Sequence, residues 1–380
     1  MGEPTVNGCT DSPSARRFSI QYLIERLVLR SDWRAVVFLV LLGLLLHMPG
    51  LGQLEFFRHT EADRTLIAWE MLERQDYVVP HLLGSPILTK PPLYYWVLAA
   101  VIKFTGRFDE FALRCPSAIA ATLLAVVLFF SARLSQISRP RALLMALILL
   151  TSLLYMTLAV AAEIDMVFCL LSSSALLGLF LATERRSVVG VCLSWFLCAL
   201  AFLAKGPPVV AFLAVAVLIL AFEHRRQDNF FPWLLKAHLL GLLCFLAPIL
   251  GWLSQVIASQ GAEQLFDSFK TEIVERVIAK PRNEKSFFFY LPNVVTGLLP
   301  WSLLAMLGFI SLLTKSGRGK IEWVRRSGWC ESDGEKRFFR FCTALAIILL
   351  VLFSFARGKT PRYLFPAYPF FVPLFLLGIL

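Results

Sequence analysis

Carboxylates and cations recur in this chain at the ends of long apolar runs, where either is costly without a partner. Glu61 and Asp63 follow the first such run, in His59-Thr60-Glu61-Ala62-Asp63-Arg64, and Glu163 and Asp165 share a short turn between two others. A carboxylate at a membrane edge can take the proton of an acceptor hydroxyl. The cations form three groups. Lys90 precedes Pro91-Pro92 and the aromatic Tyr94-Tyr95-Trp96, Lys205 precedes Gly206-Pro207, and Arg357, Lys359 and Arg362 share one turn. Pro in a first turn starts a helix, whose N-terminus favours an anion. Gly-Pro breaks a helix and leaves Lys205 at its end. A cluster of cations calls for an anion, and phosphate is the natural one. Singly, each group has a plainer reading as solvated loop charge, an interfacial turn or side chains reaching to lipid headgroups. Together they suit a phosphate-linked substrate and a hydroxyl acceptor.

Apolar helices must position these residues. The chain has 380 residues, 58% hydrophobic and 17% charged, against roughly 45–50% and 25% in soluble domains. A soluble protein of this length could not bury so much apolar surface, which excludes an ordinary soluble enzyme, a disordered chain and a disulfide scaffold. Continuous Leu-rich runs exclude a membrane β-barrel. The expected fold is an all-α integral membrane helix bundle of about ten spans, at about 34–51, 110–132, 142–162, 165–182, 188–204, 207–223, 233–257, 287–313, 341–356 and 363–380. The net charge of +11 reads as basic cytoplasmic loops and not as a nucleic-acid surface. The eight Cys are scattered, without a CxxC or Cys/His cluster, and read as small buried hydrophobes. There is no GxSxG, HExxH or P-loop.

Residues 1–17 read as a polar tail, and Phe18–Arg30 as an amphipathic helix on the membrane surface; together, residues 1–33 form a cytoplasmic segment. The run after Arg34 reads as a retained first span, because no small-residue cleavage site follows it. Leu380 lies in an apolar run, so either the last helix ends there or a longer chain continues. The run Pro91–Phe104 is about 21 Å long as a helix, short of a core of about 30 Å, and rich in interfacial Tyr and Trp. If it does not span, the N-terminal segment through Arg34 shares a side with 133–141, 183–187, 223–236 and 314–340, and the five together carry 21 Lys and Arg, eight of them in 314–340. That side is then cytoplasmic. The loops 52–110 and 258–286, the turn 161–165, Lys205 and the turn 357–362 face outward, and a juxtamembrane helix lies within 52–110.

In order along 34–380, the motifs resemble the polyprenyl-phosphate-sugar glycosyltransferases of the GT-C superfamily, nearest the aminoarabinose–lipid A transferases and protein O-mannosyltransferases. They are Thr60-Glu61, Trp69-Glu70-Met71-Leu72, Gln75-Asp76-Tyr77-Val78-Val79-Pro80, Lys90 to Trp96, Asp165, Ala204-Lys205-Gly206-Pro207, Phe289-Tyr290-Leu291-Pro292 with Gly297-Leu298-Leu299-Pro300-Trp301, and Arg357-Gly358-Lys359 with Pro361, Tyr363, Pro366, Tyr368 and Pro369.

The resemblance implies a GT-C-like membrane domain over 34–380, in the plasma (inner) membrane of a bacterium. It implies a sugar donor on a polyprenyl phosphate and an inverting transfer to a glycolipid, glycan or protein acceptor on the outer face. Glu61, Asp165 and Asp63 are then the catalytic candidates, with the carboxylates of Glu61 and Asp165 expected to meet across an outer cavity. Lys90, Lys205, Arg357, Lys359, Arg362 and Tyr94 are the candidates for holding donor. Two departures stand out. The family's first acid is usually Asp, and Thr60 holds its place. Its metal-ligand positions hold Thr89 and Ile273, so no metal or other cofactor is expected. The alternatives are a catalytically inactive subunit that binds the lipid carrier, and a transporter of lipid-linked sugar.

Overall fold

A computed structural model of the chain describes residues 28–53, 55–56, 59–88, 90–273, 285–313, 332–356 and 358–379. The tail 1–17, most of the helix expected over 18–30, Arg357 and most of the loop 314–340 lie outside the described residues. α1 (Asp32–His47) starts at Ser31, whose hydroxyl accepts from the Arg34 N–H. α2 (His59–Glu73) leads to a two-residue hairpin, β1 (His81–Leu82) with β2 (Ser85–Pro86), in register His81 to Pro86. Leu83 and Gly84 both take positive φ at its turn. The Glu70 carboxylate accepts from both their N–H groups, at 2.6 and 3.1 Å, which holds Leu83 in a conformation that L side chains rarely adopt. α3 (Leu93–Thr105) follows, and then α4 (Glu110–Leu134), capped by Asp109. The Ala112 N–H and then the Arg107 guanidinium hold that cap's carboxyl below its ordinary range.

The remaining helices are α5 (Arg139–Leu150), α6 (Leu153–Ala159), α7 (Ile164–Glu184), α8 (Val188–Lys205), α9 (Pro208–His224), α10 (Phe230–Gln260), α11 (Ala262–Ile273), α12 (Tyr290–Gly297), α13 (Trp301–Leu313), α14 (Asp333–Ser354) and α15 (Tyr368–Ile379). Each apolar run read from the sequence coincides with a helix or a bent pair. Among the described residues, α4, α7, α8, α10 and α14 are each long and apolar enough to span a membrane. Counting the bent pairs α5–α6 (64°) and α12–α13 (105°) as single spans brings the total to seven. The two bends satisfy one another. The Leu153 N–H donates to the Leu299 carbonyl at 3.0 Å, and the Trp301 indole N–H donates to the Thr151 hydroxyl at 2.8 Å. Freed backbone groups need such partners where water is absent.

Charge sorts to the two ends of the bundle. At one end Asp32 accepts from Arg133 and Arg139, Glu335 pairs with Arg141, Glu184 with Arg337 and His224, and Glu223 with Arg340. At the other end Arg114, near the start of α4, reaches the carbonyls of Leu51 and Glu55, just past the end of α1. α1 and α4 therefore run antiparallel, and α2, the hairpin and α3 fill one excursion at this second end. Indole N–H groups anchor that excursion: Trp96 donates to the Tyr77 carbonyl and Trp252 of α10 to that of Val78. α7 is central, with Phe180 stacked on Phe341 of α14. α10 turns Leu235, Leu239, Leu243 and Leu250 outward.

α1 packs on α4 at Gly43, where an added Cβ would lie 2.6 Å from the Thr122 hydroxyl oxygen. Gly43→Ala is expected to cost about 1–3 kcal/mol by overpacking. Thermal unfolding in detergent checks this, and Thr122→Ala in the same chain should restore most of the loss.

Candidate active site

A cavity of about 340 Å³ opens at the second end. Four cations, Arg64, Lys90, Lys205 and Arg362, and one carboxylate, Asp165, line it with Tyr363. Local sequence explains how each arrives. Lys205 is the last residue of α8, which stops at Gly206 with φ 90°, a value glycine adopts without a Cβ penalty; Pro207 and Pro208 then start α9. Asp165 sits in the first turn of α7. A 3₁₀ turn, Pro361–Tyr363, delivers Arg362 and Tyr363. Arg64 projects from α2, and Lys90 stands just before α3.

Lys205 forms an ion pair with Asp165, and its ammonium lies 5.4 Å from the Phe168 ring centre and 5.8 Å from that of Tyr363. Arg362 comes within 3.7 Å of the other Asp165 oxygen. Behind the wall lies Glu163, fully buried. It accepts from the Thr60 hydroxyl at 2.5 Å, from Arg362 at 2.9 Å and from the Arg64 guanidinium. The sequence singled out Glu163 together with Asp165 in the turn 161–165, but only Asp165 was expected to be catalytic, and Arg64 was given no role. The pairing of Glu163 with Arg64 and Arg362 links segments far apart in the chain, which spacing alone does not show.

Glu61 is placed differently from its expected role. It too is fully buried. Its carboxylate receives the Arg114 guanidinium at 3.2 and 3.4 Å and the Ala162 N–H at 2.7 Å. Glu61 and Asp165 thus meet at one turn, but Asp165 faces the cavity and Glu61 does not line it. The physical reason is that Glu61 is out of solvent and held by three donors from α4 and the turn before α7, whereas Asp165 opens onto the cavity. Asp63 is half-buried on α2 and is not a lining residue. Lys359 also departs from expectation. Its ammonium donates to the carbonyls of Lys285 and Ser286 at 3.1 Å each, and Lys285 donates back to the Lys359 carbonyl at 2.8 Å. That exchange clasps the turn to the chain before α12 and leaves Lys359 off the wall. Tyr94 is fully buried beside Ser117. Burial pushes its phenol above the ordinary range and that of Tyr95 up to about 12, so both remain protonated.

Thr89 and the Ile273 side chain lie outside the described residues. Among the described residues, no group of three or more His, Cys, Asp or Glu is placed to hold a metal ion. The chemistry available on this wall is electrostatic: cations for an oxyanion, and one carboxylate.

Residues 89–252 match the family described as dolichyl-phosphate-mannose-protein mannosyltransferase. The chain is 30% identical over 357 residues to an undecaprenyl phosphate-α-4-amino-4-deoxy-L-arabinose arabinosyl transferase of Edwardsiella ictaluri, an alignment that covers 91% of this chain and 58% of that protein. It is 29% identical over 353 residues to the protein of the same name from Pectobacterium carotovorum, covering 90% and 58%. The structure of ArnT from Cupriavidus metallidurans bound to undecaprenyl phosphate superposes with a TM-score of 0.73 at 22% identity, covering 90% of this chain and 60% of that one. The chain thus spans under two thirds of the length of these relatives. The likeness to GT-C polyprenyl-phosphate-sugar glycosyltransferases read from the motifs holds, and the fold is shared with ArnT.

Arg114→Met leaves the Glu61 charge buried without its guanidinium and is expected to cost about 3–5 kcal/mol. Glu61→Gln should also lower the thermal midpoint. A loss of turnover in Glu61→Gln at an unchanged midpoint would return Glu61 to a catalytic role.

Proposed function

We propose that this chain is a membrane glycosyltransferase that moves a sugar from a polyprenyl phosphate to a hydroxyl or phosphate acceptor on a glycolipid, glycan or protein. The observation that carries the proposal is the cavity: four cations around one carboxylate, at one end of a bundle that shares its fold with ArnT. In the transfer, an acceptor oxygen bonds to the anomeric carbon as the carbon–oxygen bond to phosphate breaks, inverting that centre. The bonding pair leaves with the phosphate, which gains a negative charge. Lys90, Lys205, Arg64 and Arg362 stabilise that charge at fixed positions, and stabilising developing charge is where catalytic power is concentrated. Asp165, at the cavity edge, takes the proton if the acceptor is a hydroxyl. A phosphate acceptor arrives already ionised and needs no base, which suits an Asp165 held by Lys205. On the sequence motif alone, this proposal keeps Arg357 as a further cation for the phosphate and Tyr94 as a buried residue whose phenol feels the charges of Arg64 and Asp165.

The orientation that accompanies this function is a bacterial inner-membrane protein of about ten spans, with the cavity on the extracytoplasmic face and the N-terminus inside. The base-rich loops at the opposite end of the bundle support it. A second reading, carrier binding without transfer, is favoured by Thr60 in the place of an acid and by Glu61 being held away from the cavity.

Turnover of several undecaprenyl-phosphate sugars, 4-amino-4-deoxy-L-arabinose among them, by the purified chain in lipid separates the two. Carrier binding with no sugar transferred from any donor supports the second. Charge-assisted bonds to phosphate are worth about 1.5–3 kcal/mol each. Lys90→Ala and Arg357→Ala should therefore each weaken undecaprenyl-phosphate binding roughly ten- to a hundredfold at fixed salt. Unchanged affinity in both would remove the phosphate site.

A further inference from the structure

Glu163 has no place in the transfer chemistry, yet it is fully buried directly behind the wall that carries it. Its one carboxylate touches two of the four cavity cations. Arg362 donates to one oxygen at 2.9 Å, Arg64 donates to the other, and the Thr60 hydroxyl completes the set at 2.5 Å. The three donors come from α2 and the 3₁₀ turn 361–363, and the acid from the residue that caps α7. With Asp165 on the wall and Glu163 behind it, four cations face two carboxylates, a formal excess of two positive charges among the described residues. A positive excess of this kind attracts a phosphate monoester dianion, the species left when a sugar departs from a polyprenyl phosphate.

We propose that Glu163 is a charge-balancing residue: paired with Arg64 and Arg362 behind the cavity wall, it lowers the cavity's affinity for the product phosphate enough for that product to leave. The proposal rests on the transferase reading for its consequence in turnover, but its electrostatic core concerns phosphate binding alone. A buried anion opposes a bound phosphate across a few ångströms of low-dielectric protein. Removing it at constant geometry must tighten anion binding. Loss of packing or of fold would have the opposite effect, so the sign of the change separates the proposal from a merely structural role.

The geometry also supplies a control. The Thr60 side chain ends 2.5 Å from the Glu163 oxygen, so an acid at position 60 would carry the charge back to nearly the same point from the opposite element. The experiment measures undecaprenyl-phosphate affinity of the full chain in nanodiscs at fixed salt for wild type, Glu163→Gln and the swap Thr60→Asp/Glu163→Gln. Glu163→Gln is expected to bind about tenfold more tightly, and the swap to return to within about threefold of wild type. In a transfer assay, Glu163→Gln should show a lower kcat with a donor KM no higher than wild type, and the swap should recover kcat. Weaker or unchanged binding by folded Glu163→Gln overturns the proposal, as does a folded swap that binds like Glu163→Gln. If Glu163→Gln yields no folded protein, the swap decides alone: wild-type affinity supports the proposal, and a loss overturns it. A wild type that binds carrier but transfers no sugar defeats the transferase reading, while the affinity series still decides the role of Glu163.

Discussion

The buried pair of Glu61 and Arg114 organises the end of the bundle where the cavity lies. One guanidinium holds both Glu61 oxygens and the carbonyls of Leu51 and Glu55, and its face lies 5.2 Å from the Phe56 ring centre. It therefore ties the exit of α1, the first turn of α2 and the start of α4 to one point. Glu61 extends the tie to the turn before α7 by accepting from the Ala162 N–H. Such a pair has little net worth against an apolar replacement, but breaking it leaves a bare charge in the core. Its consequence is registration. Arg64 lies one helical turn beyond Glu61 on α2, Glu163 follows Ala162, and Asp165 opens α7, so these three residues inherit their positions from that junction.

The wall built on that junction is nearly saturated with internal ion pairs. Lys205 holds Asp165, and Glu163 holds Arg64 and Arg362. Four cations in so small a space would repel one another and spread apart, and the two carboxylates keep them together before any anion arrives. Preorganised charge of this kind needs no rearrangement when a phosphate develops its extra charge. The opposite end uses the same device for another purpose. There Asp32, Glu184, Glu223 and Glu335 each meet an Arg, which closes the helix ends against one another.

Much of the architecture was legible in the sequence because hydrophobic length is a one-dimensional property. A membrane-spanning helix must satisfy its own backbone, so an apolar run declares itself whatever it packs against. Every run found that way coincides with a helix or with a bent pair of helices. The breaks at Thr151-Ser152 and at Leu299-Pro300 were less visible, because each bend depends on donors and acceptors in the other. The cations Lys90, Lys205 and Arg362 could be found because charge beside hydrocarbon is conspicuous. Lys359 was conspicuous for the same reason, but its ammonium is spent on the carbonyls of Lys285 and Ser286.

By itself, the sequence determined the class of molecule and the general chemistry that charges beside apolar runs can serve, since these follow from composition and from the cost of charge in an apolar setting. Only the tertiary structure decided which acid does what. Glu61, Asp63, Glu163 and Asp165 are alike as residues near the ends of apolar runs, and their partners lie far away in the chain: Arg114 for Glu61, Thr60 and Arg362 for Glu163, Lys205 for Asp165. A carboxylate's role is set by the donors that reach it and by whether water or substrate can, and both depend on contacts between distant segments.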